Sequence, residues 1–116
     1  MFIENKPDEI ELLSFFESEP VSFERDNVSF LYTAKNQCGL SADFSFSVVE
    51  GWVQYVMRLH DKEISHGSID GVTSISIRND NLGDYIYVEA ITDKSINKAE
   101  IRIRPDIKIK NSSLIK

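Results

Sequence analysis

Two histidines and several carboxylates lie close together in the middle of the chain, and these residue types can hold a metal ion. His60 and His66 bracket Asp61 and Glu63, and Asp70 follows. Zinc sites usually combine Cys and His ligands at tight, recurrent spacings. The chain has only 2 histidines, and this stretch spans the end of a predicted strand and the loop after it. We therefore expect a solvated connection between two hairpins, without a bound metal or cofactor.

Cys38 is the single cysteine of the chain, and so the one candidate for a thiol nucleophile. It lies in Asn36-Gln37-Cys38-Gly39, a sequence typical of a turn. Nothing beside it marks the thiolate as activated. The 19 acidic residues supply many carboxylate pairs, but no reason to choose one of them for glycosidase-type chemistry. The sequence therefore predicts no catalytic residues and a protein that is not an enzyme.

Tyrosines, arginines and serines alternate with isoleucines in the second half of the chain. If the isoleucines face a core, the polar residues share the opposite face of a sheet: Ser74, Ser76, Arg78, Tyr85, Tyr87, Glu89, Arg102 and Arg104. Tyr and Arg dominate binding hot spots because they combine large contact area with directional hydrogen bonds. The same side chains could instead stack on one another and shield an exposed sheet. The pattern leaves both interpretations open.

A short helix from Asp8 to Phe16 is the first element that the sequence predicts. Pro7 suits the start of a first turn, and the carboxylates of Asp8, Glu9 and Glu11 are stabilised there by the helix dipole. Spacings of three and four residues place the apolar side chains on one broad face that must pack on something. These are Ile10, Leu12, Leu13, Phe15 and Phe16.

After Pro20 the apolar residues alternate with polar ones, which is typical of β-strands. One predicted hairpin joins 21–23 to 28–32 across Asp26-Asn27 and places Phe23 opposite Phe30. A second turns at Glu50-Gly51.

The register of the second predicted hairpin follows from its turn, which would place Phe46 opposite Tyr55, Phe44 opposite Met57 and Asp43 opposite Arg58. A slip of one residue would move every side chain to the other face, so agreement on both faces supports the register.

Two more strand regions complete the prediction. A third hairpin joins 73–78 to 85–91 through Asp80-Asn81-Leu82-Gly83, and it pairs Ile77 with Ile86. A last strand runs from Glu100 to Lys110 and is interrupted at Pro105. One N-terminal helix with six or seven antiparallel strands predicts an α+β, mainly β fold, with a twisted sheet or sandwich and a single domain from 1 to 116.

Charge is distributed unevenly along the chain, whose net charge is −6. The first 26 residues hold 8 acids and 2 bases, whereas the last 32 hold 4 acids and 7 bases. Neutralising phosphates requires a concentrated basic surface, so we expect no nucleic-acid partner. No apolar run is long enough to span a membrane, and neither a secretory signal nor a cysteine pair is present. A cytoplasmic protein with a basic partner is expected.

The helix dipole explains only the earliest acids of the chain. Six others are candidates for contact with a basic partner: Glu17, Glu19, Glu24, Asp26, Asp61 and Glu63. The alternative binding face consists of Arg78, Tyr85, Tyr87, Arg102 and Arg104, which would suit a small-ligand or carbohydrate-binding β-domain if a deep pocket accompanies them.

The helix exit Phe15-Phe16-Glu17-Ser18-Glu19-Pro20, the hairpin Val48-Val49-Glu50-Gly51-Trp52-Val53 and the serial strands resemble immunity proteins of bacterial polymorphic-toxin systems. The closest kind is that of contact-dependent growth inhibition. The resemblance implies a protein, monomeric when free, that binds the C-terminal toxin domain of a large exported effector and blocks its active site. Many such toxins are nucleases with basic clefts, which an acidic inhibitor could occupy.

Overall fold

Antiparallel strands dominate the fold, as the sequence predicts. The computed structural model describes residues 3–26 and 28–115, and within them it contains one helix and nine strands. Their bounds are α1 Glu9–Phe16, β1 Ser22–Glu24, β2 Ser29–Lys35, β3 Leu40–Ser47, β4 Trp52–Leu59, β5 Lys62–Asp70, β6 Ser74–Asp80, β7 Gly83–Ile91, β8 Ser95–Arg102 and β9 Lys108–Ile115. The strands form a five-stranded sheet in the order β1-β2-β3-β4-β5 and a four-stranded sheet in the order β6-β7-β8-β9. The predicted α+β, mainly β class is confirmed.

The predicted helix is present, and a capping box begins it. The Asp8 side chain accepts from the Glu11 backbone N–H at 2.7 Å, and the Asp8 N–H donates back to the Glu11 carboxylate at 3.2 Å. Only one stripe of the helix is buried, consisting of Leu12, Phe15 and Phe16. The broad apolar face predicted from the sequence is wrong at two positions, because a helix of two turns that docks on one side leaves Ile10 and Leu13 in solvent.

Aromatic rings fill the inner face of the five-stranded sheet. Phe16 of α1 stacks on Tyr32 of β2 with 4.6 Å between ring centroids and 12° between planes. The next rings are Phe30 and Phe46, whose centroids lie 5.2 Å apart. Each aromatic pair adds about 0.5–1.5 kcal/mol to the hydrophobic gain of burial. The helix is thus held against the sheet by ring stacking.

The first two hairpins show what strand pattern can determine. Phe23 lies opposite Phe30 as predicted, although Asn27 of the turn lies outside the described residues. In the second hairpin the predicted register is wrong by two positions: Phe44, rather than Phe46, pairs with Tyr55. A longer turn at 48–51 replaces the expected two-residue turn. A shift of two residues keeps every side chain on its face, which is why the alternation could not detect it.

The four-stranded sheet confirms one hairpin and corrects another prediction. Ile77 pairs with Ile86, as expected. The single strand predicted over residues 100–110 is instead two strands, because the chain turns back through the segment that contains Pro105 and brings Ile109 opposite Ile101. Proline lacks the N–H that a central strand requires, and Pro105 lies in the connection between β8 and β9.

The predicted loop after His60 is also wrong, because β5 occupies it. His60 and Asp61 both have positive φ, at 50° and 68°, and form a tight turn from β4 into β5. β5 lies at a sheet edge with most of its residues exposed. Since an exposed edge strand buries neither face fully, it lacks the apolar alternation by which strands are recognised.

One tyrosine connects the two sheets. Tyr55 of β4 pairs with Gly67 of β5, and a methyl group added at Gly67 would overlap the Tyr55 ring. The ring therefore lies across the glycine, and its hydroxyl accepts a hydrogen bond from the Asn111 side chain of β9. The glycine leaves the space that this contact needs.

We expect Gly67→Ala to destabilise the protein by about 1–3 kcal/mol, because the new Cβ displaces a buried ring. Denaturant unfolding monitored by circular dichroism measures the loss. The same substitution in a Tyr55→Leu background should cost much less, since leucine does not reach across the strand. An equal cost in both backgrounds would show that the ring contact is not the cause.

Candidate functional site

The six candidate acids do not form one patch. Glu17 and Glu19 precede β1, Asp61 lies in the turn before β5, and Glu63 is the second residue of β5. These four lie toward the same end of the five-stranded sheet, but beside its two opposite edge strands. The remaining two acids, Glu24 and Asp26, lie near the other end, where β1 leads into β2. The six acids therefore border different edges of the sheet, and which of them contact a partner stays a prediction.

Glu17 ends α1 in the left-handed conformation, with φ 57°. Its side chain is 72% exposed and lies 3.7 Å from the guanidinium of Arg104. Arg104 also donates to the Phe15 carbonyl and lies 5.8 Å from the centre of the Phe15 ring. The sequence pattern predicted that Arg104 lies on the Tyr and Arg sheet face. This is wrong, because residue 104 follows the end of β8 and reaches the helix exit.

A cleft of about 660 Å³ opens beside the helix exit. Its lining includes Phe16, Glu17, Lys35 and Arg104. Burial, followed by the nearby carboxylates of Glu9 and Glu19, raises the pKa of the neighbouring Tyr32 hydroxyl. The cleft contains an acid and two bases close together, so its charge is mixed.

The histidine-rich segment is divided between two places. The His60 ring packs over Gly39, where an added methyl group would overlap it. His66, farther along β5, has its Nδ1 3.0 Å from a Glu63 carboxylate oxygen. In the ranges 3–26 and 28–115, no three His, Cys, Asp or Glu side chains converge to hold a metal. Across the sheet, Arg58 forms an ion pair with Asp43, as predicted, although Asp43 lies opposite Val56, two residues from Arg58.

Nearby acids also act on Arg58. Its pKa is raised mainly by the Asp43 hydrogen bond and also by Glu63 and Asp61. These two candidate acids are thus partly offset by a cation on the adjacent strand, while both remain exposed to solvent.

The outer face of the four-stranded sheet carries the predicted Tyr and Arg array, apart from Arg104. Arg78 lies 3.8 Å from the centre of the Tyr87 ring, and Arg102 lies 5.0 Å from that of Tyr85. Tyr87 donates to Glu89 at 3.0 Å and is buried. The arginines thus cover the tyrosines, which is the shielding interpretation that the sequence left open.

The cleft that borders Arg102 is small, at about 190 Å³. Ligand pockets usually measure about 300–1,000 Å³ and are largely apolar. Arg102 itself is engaged with Asp80 at 2.6 Å and with the Gly83 carbonyl at 3.3 Å. The geometry therefore does not favour the small-ligand or carbohydrate-binding alternative on this face.

Sequence reasoning missed a polar cleft of about 580 Å³ between the two sheets. Its lining is rich in hydroxyl and amide groups, from Ser68, Ile69, Asp70, Asn97, Lys98, Asn111, Ser112 and Ser113. It lies beside the open edge of β5, close to the contact between Tyr55 and Asn111. The polar run Asn111-Ser112-Ser113 was the one sequence feature that could have indicated it.

Fold and surface together define an antiparallel two-sheet domain whose charged and polar groups are spread over exposed faces and edges. No helix in the described part of the chain is long and apolar enough to cross a membrane. No family model and no curated protein matches the sequence.

A solved structure does match the chain, with 82% sequence identity and a TM-score of 0.95 over 98% of this chain and 100% of the other. It is described as the contact-dependent growth inhibition toxin - immunity protein complex from Klebsiella pneumoniae 342. The chain therefore belongs to the proteins of contact-dependent growth inhibition toxin–immunity complexes. The resemblance inferred from the sequence is confirmed at this level.

Lowering the pH should destabilise the hairpin between β6 and β7, because it protonates the Asp80 carboxylate. The Arg102 hydrogen bond, and then the Leu82 backbone N–H, lower the pKa of Asp80. The pKa of the Asp80 carboxyl is therefore higher in the unfolded chain, which binds the proton first as the pH falls. The stabilisation that Asp80 gives to the folded protein is complete near neutral pH and is lost below about pH 4.

We expect the melting temperature of Asp80→Asn to fall less between pH 6 and pH 2 than that of the unsubstituted protein. Asp84→Asn on the same hairpin is the matched control and should follow the unsubstituted protein. Parallel curves for Asp80→Asn and the unsubstituted protein would contradict the assignment.

Proposed function

We propose that the chain is the immunity member of its toxin–immunity pair. It would bind the toxin domain in the cytoplasm, cover its active site and protect the cell that makes both proteins, without performing a reaction of its own. The observation that carries this proposal is the 82% identity over a whole chain of a toxin–immunity complex. The net charge of −6 favours the inhibitor over the toxin if the toxin acts on nucleic acid.

The charge of the chain supports a nuclease as the toxin. An enzyme that cleaves nucleic acid needs a basic cleft for phosphate, and carboxylates on an inhibitor can occupy the same cleft. Complementary charge also speeds the encounter of two proteins more reliably than it strengthens their complex. Exposed acids at β5 and around β1 provide such a field.

Several polar side chains of this chain are engaged in structural pairs. Arg58 with Asp43 connects the neighbouring strands β4 and β3, Arg102 of β8 reaches Asp80 of β6 across β7, and Tyr87 donates to Glu89 along β7. Side chains held in this way stiffen an exposed surface, as a binding protein requires. This arrangement is consistent with a preformed inhibitor.

A growth test decides which member of the pair this chain is. The partner chain of the Klebsiella complex is expressed from an inducible promoter in the bacterial cytoplasm, alone and together with this chain. We expect the partner alone to arrest growth and co-expression to restore it. If this chain arrests growth and the partner relieves the arrest, the roles are reversed and the proposal is wrong.

Charge reversal of specific acids should reveal which of them meet the toxin. We expect Asp61→Lys with Glu63→Lys to lower the association rate by about tenfold at low salt, because both acids lie at the open edge of β5. Glu24→Lys with Asp26→Lys makes the same charge change at the other edge and should have a smaller effect.

Stopped-flow association at increasing salt measures both variants. The difference between them should shrink at high ionic strength, because salt screens exposed charges. Association rates that change neither with salt nor with either pair of lysine substitutions would contradict the electrostatic part of the proposal.

A further inference from the structure

The two sheets have four edge strands, which differ in how they are protected. An edge strand leaves backbone N–H and C=O groups free to pair with another chain, and natural proteins shorten, cover or charge such edges. β1 is only three residues long. The beginning of the β6 edge is covered by the N-terminal segment, where the Glu4 N–H donates to the Thr73 carbonyl at 2.9 Å and the Ile75 N–H donates to the Asn5 carbonyl at 2.8 Å. β9 carries Lys108 and Lys110.

β5 is the longest of the four edges, and its one lysine, Lys62, is its first residue. It is nine residues long, and its irregularity lies at its beginning, opposite the step from Met57 to Arg58. From Ser65 to Asp70 the pairing with β4 is regular. This stretch contains Gly67 and two serines, with no proline and no lysine to block an approaching chain. Six regular residues present an edge about 20 Å long.

Clefts lie on both sides of this edge. One, of about 370 Å³, lies over the outer face of the sheet and is lined by Gln54, Val56, Glu63, His66 and Ser68 among others. The other is the 580 Å³ cleft toward the four-stranded sheet. Side chains of a strand point alternately to its two faces. A strand added beside β5 would therefore direct successive side chains into one cleft and then the other.

We propose that β5 receives an extended strand of the toxin domain, which adds a sixth strand to the five-stranded sheet; this inference rests on the proposed immunity function. Backbone hydrogen bonds along Ser65–Asp70 supply the affinity, and the two clefts supply specificity. Serine and asparagine groups in the inner cleft select side chains that form hydrogen bonds. Glu63 in the outer cleft and Asp70 in the inner one favour a basic residue at the matching position.

The proposal gives the acids of the β5 edge a specific role. Asp61 and Glu63 lie at the start of β5, whereas Glu24 and Asp26 lie at the other edge of the sheet. The former would meet the docked strand, and the latter would contribute only to the field that steers it.

Hydrogen exchange tests the proposal, with the partner chain of the Klebsiella complex as the probe. We expect alternate backbone amides between 65 and 70 to exchange at least about tenfold more slowly in the complex than in the free chain. Amides of β1, at the other edge, should be unchanged. If the complex forms and the β5 amides exchange as before, strand addition is wrong while the immunity function stands.

A matched pair of variants tests the same edge by affinity. Ser22 and Ser68 lie in one row across the sheet, at its two opposite edges. We expect Ser68→Lys to weaken binding of the partner chain by at least about tenfold, because a lysine obstructs an open edge and repels a basic strand. Ser22→Lys should change the affinity by less than about twofold.

Both variants must have the melting temperature of the unsubstituted protein. We expect this because Ser22 and Ser68 are exposed. Equal affinities of the two variants would overturn the proposal. So would a free chain that dimerises through β5 and protects the same amides without the partner. Failure of the unsubstituted chain to bind the partner at all would overturn both the immunity function and this inference.

Discussion

Stacking of the α1 rings on the inner face of the five-stranded sheet is the interaction on which the rest of the structure depends. Phe16 lies on Tyr32, and the rings continue through Phe30 to Phe46. Because these rings are rigid and large, they set the position of the helix and the order of β2 and β3 together. The helix exit, with Glu17 and Arg104, is placed by the same contact.

The aromatic row that crosses the sheet also determines its far edge. Tyr32, Phe44 and Tyr55 occupy one row, which ends at Gly67 of β5. A glycine at that position lets the tyrosine pass over the edge strand and reach Asn111 of the other sheet. Core packing and the open polar edge are therefore two consequences of one residue choice.

The sequence predicted those features that depend on neighbours along the chain. The capped helix at Asp8 and the pairing of Ile77 with Ile86 follow from local pattern. β5 was missed because an edge strand needs no alternation, and the register of the second hairpin was wrong because a two-residue shift leaves both faces unchanged. The contact of Tyr55 with Asn111 joins residues far apart in sequence, so the polar run at 111–113 could not by itself show which strand it faces.

Acidity alone is a poor guide to where a partner binds, since the candidate acids lie at opposite edges of the sheet. Backbone geometry is more specific, because β5 is the longest edge and pairs regularly, without a lysine, from Ser65 to Asp70. The structure of the complex between this chain and the Klebsiella partner chain tests this account most directly. We predict a partner strand hydrogen-bonded along Ser65–Asp70, with the active site of the partner covered by this chain. A complex in which β5 remains open to solvent and the partner binds another surface would contradict the account.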